Sequence, residues 1–282
     1  MRLSSFRHDG KDTYGVVTND QIVDVAAISS EVGATLREAL ERNTLRRIAE
    51  WAARAPQRIA LDAIQFLPVI PEPQKILCVG INYRTHVQET GREIPSYPMI
   101  FTRFADSQTG HLQPIVRPKV SQKLDFEGEL AVVIGKAARH VKADQALDYV
   151  AGYSAYNDGS VRDWQKHSIQ FIPGKNFPQT GGFGPWLVTT DEIPDPSQLA
   201  LTTRLNGQVV QEARTDDMIF SVGALIEYCS AFTPLNPGDV IITGTTGGVG
   251  AFRKPPLWMK PGDVCEVEIS RIGTLRNTIV DE

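Results

Sequence analysis

The chain of 282 residues is 41% hydrophobic and 22% charged, the composition of an ordinary globular protein with room for one large domain or a small one ahead of a larger one. Its 29 basic and 33 acidic residues give a formal charge of −4, with no stripe of lysine and arginine among aromatics, which argues against a nucleic-acid partner. Cys78, Cys229 and Cys265 are too scattered for a disulfide frame or a zinc site, and no apolar run approaches the roughly 20 residues of a membrane span, so a cytoplasmic protein is expected.

In chain order, "MRLSSFR", "TYGVVT" and "QIVDVAA" are strand-like runs punctuated by the turns "HDGKD" and "TND". A single helix is predicted over 35–55, with Leu36, Ala39, Leu40, Ile48 and Trp51 on its apolar side. "FLPVIPEPQ" breaks any regular element and reads as a linker. The expected division is therefore a small N-terminal β/α domain over 1–70 and a larger domain over 71–282.

In "NYRTHVQETG", His86 and Glu89 are three apart, so one helical turn puts them on one face. A carboxylate on one ring nitrogen fixes the tautomer and leaves the other nitrogen as a base; a solvated loop histidine fits the spacing equally. "KLDFEGELAVVIGK" places Glu127 and Glu129 on one face of a strand, followed on that face by Ala131 and Val133. Either that face meets solvent or the two acids hold a cation. Asp158, in "AYNDGSVRDWQ", is a third acid, and three carboxylates suit a hard ion such as Mg²⁺, Mn²⁺ or Ca²⁺. Arg162 and Gln165 follow Asp158 at helical spacing, and Lys175 is expected in a loop, the Gly/Pro-rich "IPGKNFPQTGGFGPW".

Further on, "LTTRLNGQVVQEA" is a hairpin about Asn206-Gly207, and "SVGALIEYCSAF" a helix capped by Ser221. Two "PGD" turns launch the strands "VIIT" and "VCEVEIS". "TGTTGGVG" offers backbone N–H groups to an anion but lacks the lysine of a P-loop. The whole reads as an α+β, strand-dominated chain rather than a doubly wound sheet.

The motifs "GINYRTHVQE", "DFEGELAVVIGK", "GYSAYNDGSVRDWQ", "GKNFPQTGGFGPWLVT" and "PGDVIITGTTGGVG", in this order over 75–281, resemble the fumarylacetoacetate hydrolase superfamily. The resemblance implies a mixed β-roll catalytic domain, a homodimer, and a divalent metal held by Glu127, Glu129 and Asp158. It also implies His86, Glu89 and Lys175 as catalytic residues, the first two on a lid, with Tyr83, Arg162, Gln165 and Thr245 around a small-molecule carboxylate substrate. Cleavage of a C–C bond in a 2,4-dioxo acid through an enolate is the implied reaction. A 2-hydroxyhepta-2,4-diene-1,7-dioate isomerase, an oxaloacetate decarboxylase and a non-catalytic binding member are the alternatives. Thr246 stands where the family usually has proline, and Arg103 where a lysine is common; both bear on substrate choice.

Overall fold

The first turns cut the N-terminal segment into β1 (Arg2–His8), β2 (Lys11–Thr18) and β3 (Gln21–Asp24), with Asp9 and Asn19 at positive φ where the chain reverses. These come from a computed structural model that describes residues 1–91 and 93–282. The single helix predicted over 35–55 is instead two, α1 (Leu36–Glu41) and α2 (Leu45–Ala52). Asn43 between them adopts φ 54°, a left-handed conformation asparagine tolerates, and the Thr44 hydroxyl meets the carbonyls of Val32 and Ala39. The proline-rich stretch after them is no loose tether, because Val69 and Ile70 are fully buried.

Later elements that build the site and its surroundings are β4 (Ile76–Gly80), α3 (Arg84–Thr90), β5 (Met99–Arg103), β6 (Gly128–Ile134), β7 (Val150–Asp158), α4 (Arg162–Gln165), α5 (Ile172–Lys175) and β8 (Gly181–Thr189). They are followed by β9 (Ala200–Leu205), β10 (Gln208–Arg214), α6 (Val222–Phe232), β11 (Val240–Thr245), β12 (Val264–Ile269) and β13 (Gly273–Asp281). Among the described residues, one twelve-stranded sheet runs Ile59–Ala60, β3, β2, β1, β8, β7, β6, β11, β4, β5, with Gln65–Phe66 beside β1 and Gln108–Thr109 beside β8. A five-stranded sheet runs β10, β9, β12, β13, Ile115–Arg117. Asn206 and Gly207 both take positive φ between β9 and β10, and the Ser221 hydroxyl accepts the Ala224 N–H at the start of α6, as their sequences predict.

Alternation along β6 buries both its faces. Leu130, Val132 and Ile134 pack with α6 and with Leu201, Val267 and Ile269 of the smaller sheet. Ala131 and Val133 pack on the other side in a cluster that also holds Leu3, Tyr14, Leu36, Leu40 and Ile48. Residues on both sides of position 70 thus share one sheet and one core, joined where Leu3 pairs with Leu187.

His111 lies in this junction, edge-on to Phe66 at 4.9 Å, with its Nδ1 accepting the Arg276 N–H at 3.1 Å. Burial, and then the charge of Arg276, push its pKa from 6.5 down to about 4. A depressed histidine gives stability that is fully present above the unfolded value and lost as pH falls toward the folded one. Wild type is therefore expected to lose about 2 to 3 kcal/mol more than His111→Gln between pH 7 and pH 4, measured by urea unfolding. Parallel losses in the two proteins would refute this.

Candidate active site

Strand pairing gathers the acids. β6 is antiparallel to both neighbours, so its start lies beside the ends of β7 and β11: Gly128 pairs with Asn157, and Glu129 with Tyr156 on one side and Thr245 on the other. Glu127, Glu129 and Asp158 consequently converge, all buried, with one carboxylate oxygen of each within 4.8 Å of the others.

Cations from distant segments answer two of the three. Lys175 Nζ donates to Glu127 Oε2 and Asp158 Oδ2, both at 2.6 Å, and lies 5.1 Å over the Phe101 ring. Arg162 Nη2 is 2.7 Å from Glu127 Oε1, while its Nε donates to Asp125 Oδ2 at 2.8 Å. Arg103 donates to Asp158 Oδ1 at 2.5 Å and to Thr180 Oγ1 at 2.7 Å. Burial raises the Glu127 pKa, but Arg162 and then Lys175 outweigh it and hold the carboxyl down to about 2. Glu129 is different. Its closest donor is the Gly244 N–H, at 2.5 Å, and burial followed by the charges of Asp158 and Glu127 pushes its pKa well up. Among the described residues, four buried carboxylates, counting Asp125, thus face three buried cations, and the unmatched one is Glu129. An all-oxygen cluster with one uncompensated carboxylate fits a divalent metal.

Above this floor, His86 Nδ1 lies 3.2 Å from Glu89 Oε2 within α3, the helical turn that the sequence predicts. Burial, opposed by Glu127 and Glu89, lowers the His86 pKa and favours the neutral ring. α3 is fastened at several points. The Thr85 N–H and hydroxyl both donate to Asp217 Oδ2, the Thr85 and Thr246 hydroxyls are 3.2 Å apart, and the Gly248 N–H donates to Glu89 Oε1 at 3.0 Å. Thr246, noted in the sequence for replacing a proline, thus has a contact to the helix bearing His86.

A cavity of about 470 Å³ is lined by His86, Glu127, Glu129, Arg162, Gln165, Lys175 and Thr245, with Phe101, Phe171 and Phe252 among its apolar walls. Three expectations need correction. Tyr83 is not brought to this cavity: it is fully buried among Leu130, Val132 and Met218 in the core. Arg162 and Gln165 reach the site because β7 turns through Ser160–Val161 into α4, since Asp158 ends a strand and no helix spans all three. Lys175 ends the short α5 rather than lying in a loop. Thr245 lines the cavity, but its hydroxyl already donates to Gly128 O at 3.0 Å and accepts from Gln211 Nε2 at 2.8 Å.

Sequence reasoning missed the roles of Asp125 and Arg103 here. Asp125 had a signal, being in step with Glu127 and Glu129 at a period of two. Among the described residues no helix is long and apolar enough to cross a membrane.

Comparison with known proteins agrees with this geometry. Oxaloacetate tautomerase fahd2 of Xenopus laevis, named as mitochondrial, is 42% identical over 99% of this chain and 90% of its own. The solved structure of fumarylacetoacetate hydrolase from Exiguobacterium antarcticum superposes with a TM-score of 0.88 at 34% identity, covering 100% of both chains. Maleylpyruvate hydrolase from Sphingobium sp. SYK-6, solved with manganese(II) and pyruvate, gives 0.82 at 28% identity, covering 100% of this chain and 99% of that one. The family model described as fumarylacetoacetate (FAA) hydrolase C-terminal matches residues 75–280, and with that match the acidic cluster, the strand-dominated fold and the full-length relatives agree that this chain belongs to the fumarylacetoacetate hydrolase family.

Proposed function

We propose that this chain is a divalent-metal-dependent enzyme that moves a proton at C3 of a short 2-oxo dicarboxylic acid, interconverting the enol and keto forms of oxaloacetate or a close analogue. One arrangement carries the reading: a buried histidine, favoured neutral and held by Glu89, lines the same cavity as Glu127 and Glu129 of the acidic cluster. Likeness to a named oxaloacetate tautomerase over nearly the whole chain supports it.

Glu127, Glu129 and Asp158 would hold the ion, with Mg²⁺, Mn²⁺ and Ca²⁺ all suited to an all-oxygen set. When bound, it supplies a Lewis acid to the 2-oxo group. Lys175 and Arg103 keep Asp158 in place from opposite oxygens, and Lys175 and Arg162 do the same for Glu127. Gln165, whose Oε1 accepts from Arg162, can turn its amide NH₂ to a substrate carboxylate. With Nδ1–H directed at Glu89, His86 takes the C3 proton at Nε2 and returns it to the 2-oxo oxygen, so no net proton is consumed.

A second reading, hydrolysis of an acylpyruvate, is favoured by the cavity's volume and by Phe101, Phe171 and Phe252, which suit an acyl tail longer than that of a four-carbon acid. There His86 would take its proton from water. Both are tested by offering oxaloacetate and an acylpyruvate in parallel, in ¹⁸O-water. Faster decay of the ultraviolet absorbance of enol-oxaloacetate, with no labelled acid released from the acylpyruvate, is the expected result. Labelled acid with unchanged enol decay would replace the first reading by the second.

A further inference from the structure

Asp125 has no part in the chemistry above, yet it is fully buried and its two oxygens are occupied by four donors. Oδ1 accepts the N–H of Gly250 at 2.8 Å and of Phe126 at 2.9 Å; Oδ2 accepts the N–H of Ala251 at 2.9 Å and Arg162 Nε–H at 2.8 Å. The approach to Gly250 admits no side chain there, since a Cβ would sit 1.8 Å from Leu257 O and 2.6 Å from Asp125 Oδ1. On one side Asp125 thus pins the backbone that carries Phe252, whose ring stands edge-on to His86 with centroids 6.0 Å apart. On the other it holds the guanidinium of Arg162, which divides itself between Asp125, Gln165 at 3.0 Å and Glu127 at 2.7 Å.

We infer that Asp125 is a positioning residue: by engaging Arg162 through Nε it prevents the guanidinium from closing on Glu127, and so keeps Glu127 available as a metal ligand. This rests on the metal-binding role proposed for Glu127. The physical reason is the geometry of arginine. A guanidinium released from one carboxylate can offer two parallel N–H groups to the other, adding a contact at Glu127 Oε2, where Lys175 already donates, to the single contact now present at Oε1, and that bidentate pair is the stronger one. A carboxylate clamped in this way is a poorer ligand for an ion.

Calorimetric titration of Mn²⁺ into wild type, Asp125→Asn and the double variant Asp125→Asn/Arg162→Gln tests this, with circular dichroism to establish folding. Asp125→Asn is expected to bind Mn²⁺ about 10–100-fold more weakly, the usual cost of losing a group that orients a ligand. The double variant, with no guanidinium to redirect, is expected to bind Mn²⁺ at least about threefold more tightly than Asp125→Asn, yet short of wild type because Arg162 also holds Glu127 in place. A purely structural role for Asp125 would leave the double variant as weak as the single one, and that result, or an unchanged single variant, overturns the inference. Should Asp125→Asn fail to fold, Asp125→Ser and Asp125→Ser/Arg162→Gln replace the pair and are read in the same way. Wild type that binds no Mn²⁺ would instead overturn the metal reading, and this inference with it.

Discussion

His86→Ala is expected to lose turnover of enol-oxaloacetate by roughly 10²–10⁴-fold, the usual contribution of a positioned base, while still binding Mn²⁺. The separation follows from the geometry: His86 bonds to Glu89 on α3, whereas Glu127 and Asp158 are held by Lys175, Arg162 and Arg103. Glu89→Gln is expected to lose less, because it keeps an oxygen for the ring while removing the charge that raises its basicity. The pH profile adds a check. A base works unprotonated, so kcat/KM should be present at neutral pH and fall as pH drops. Because burial lowers the His86 pKa, that fall should begin below the ordinary imidazole value of 6.5. Full turnover by a folded His86→Ala protein would remove the histidine from the mechanism.

The second large effect separates two glutamates that look alike in sequence. Glu129→Gln is expected to abolish the stabilisation that Mn²⁺ confers, yet to unfold without metal at or above the wild-type temperature. Among the described residues its carboxyl has no cationic side chain at ion-pair distance, and burial with two nearby carboxylates already disfavours its charge, so a neutral isostere relieves repulsion. Glu127→Ala should do the opposite to the metal-free protein. It takes one partner from each of two buried cations, Arg162 and Lys175, a loss of the kind that costs up to about 3–5 kcal/mol. Thermal unfolding with and without Mn²⁺ reads both. For the wild type, an ion at 100 times its dissociation constant should add about 2.7 kcal/mol. Equal metal stabilisation in wild type and Glu129→Gln would exclude Glu129 as a ligand.

What the sequence disclosed were features written in a few consecutive residues. The period-two acids ahead of Ala131 and Val133, the His86–Glu89 turn, the Asn206-Gly207 reversal and the Ser221 cap each depend on local geometry, and each appears as expected. What it hid depends on distant partners. Lys175 meets Glu127 across 48 positions and Arg103 meets Asp158 across 55, and no spacing rule reaches so far. Tyr83 misled for a related reason: its neighbours in the motif face the cavity, but the chain enters α3 with this side chain turned into the core. The break at Asn43 was missed because the apolar pattern continues across it, and a single left-handed residue leaves that pattern almost unchanged.

The order of strands in the large sheet also governs how the protein can be made. β6 and β7 are near neighbours in sequence, but the other edge of β6 waits for β11, and β1 waits for β8. A ribosome that has released only the first 200 residues therefore presents β6 with one edge unpaired and β4 without its parallel partner. Such long-range pairing closes slowly and leaves apolar edges open to other chains meanwhile. Glu129, whose carboxylate is bonded to Gly244 and whose strand pairs with Thr245, reaches its final surroundings only when nearly all of the chain has emerged, so nascent fragments carry the acids without the pocket that makes them useful.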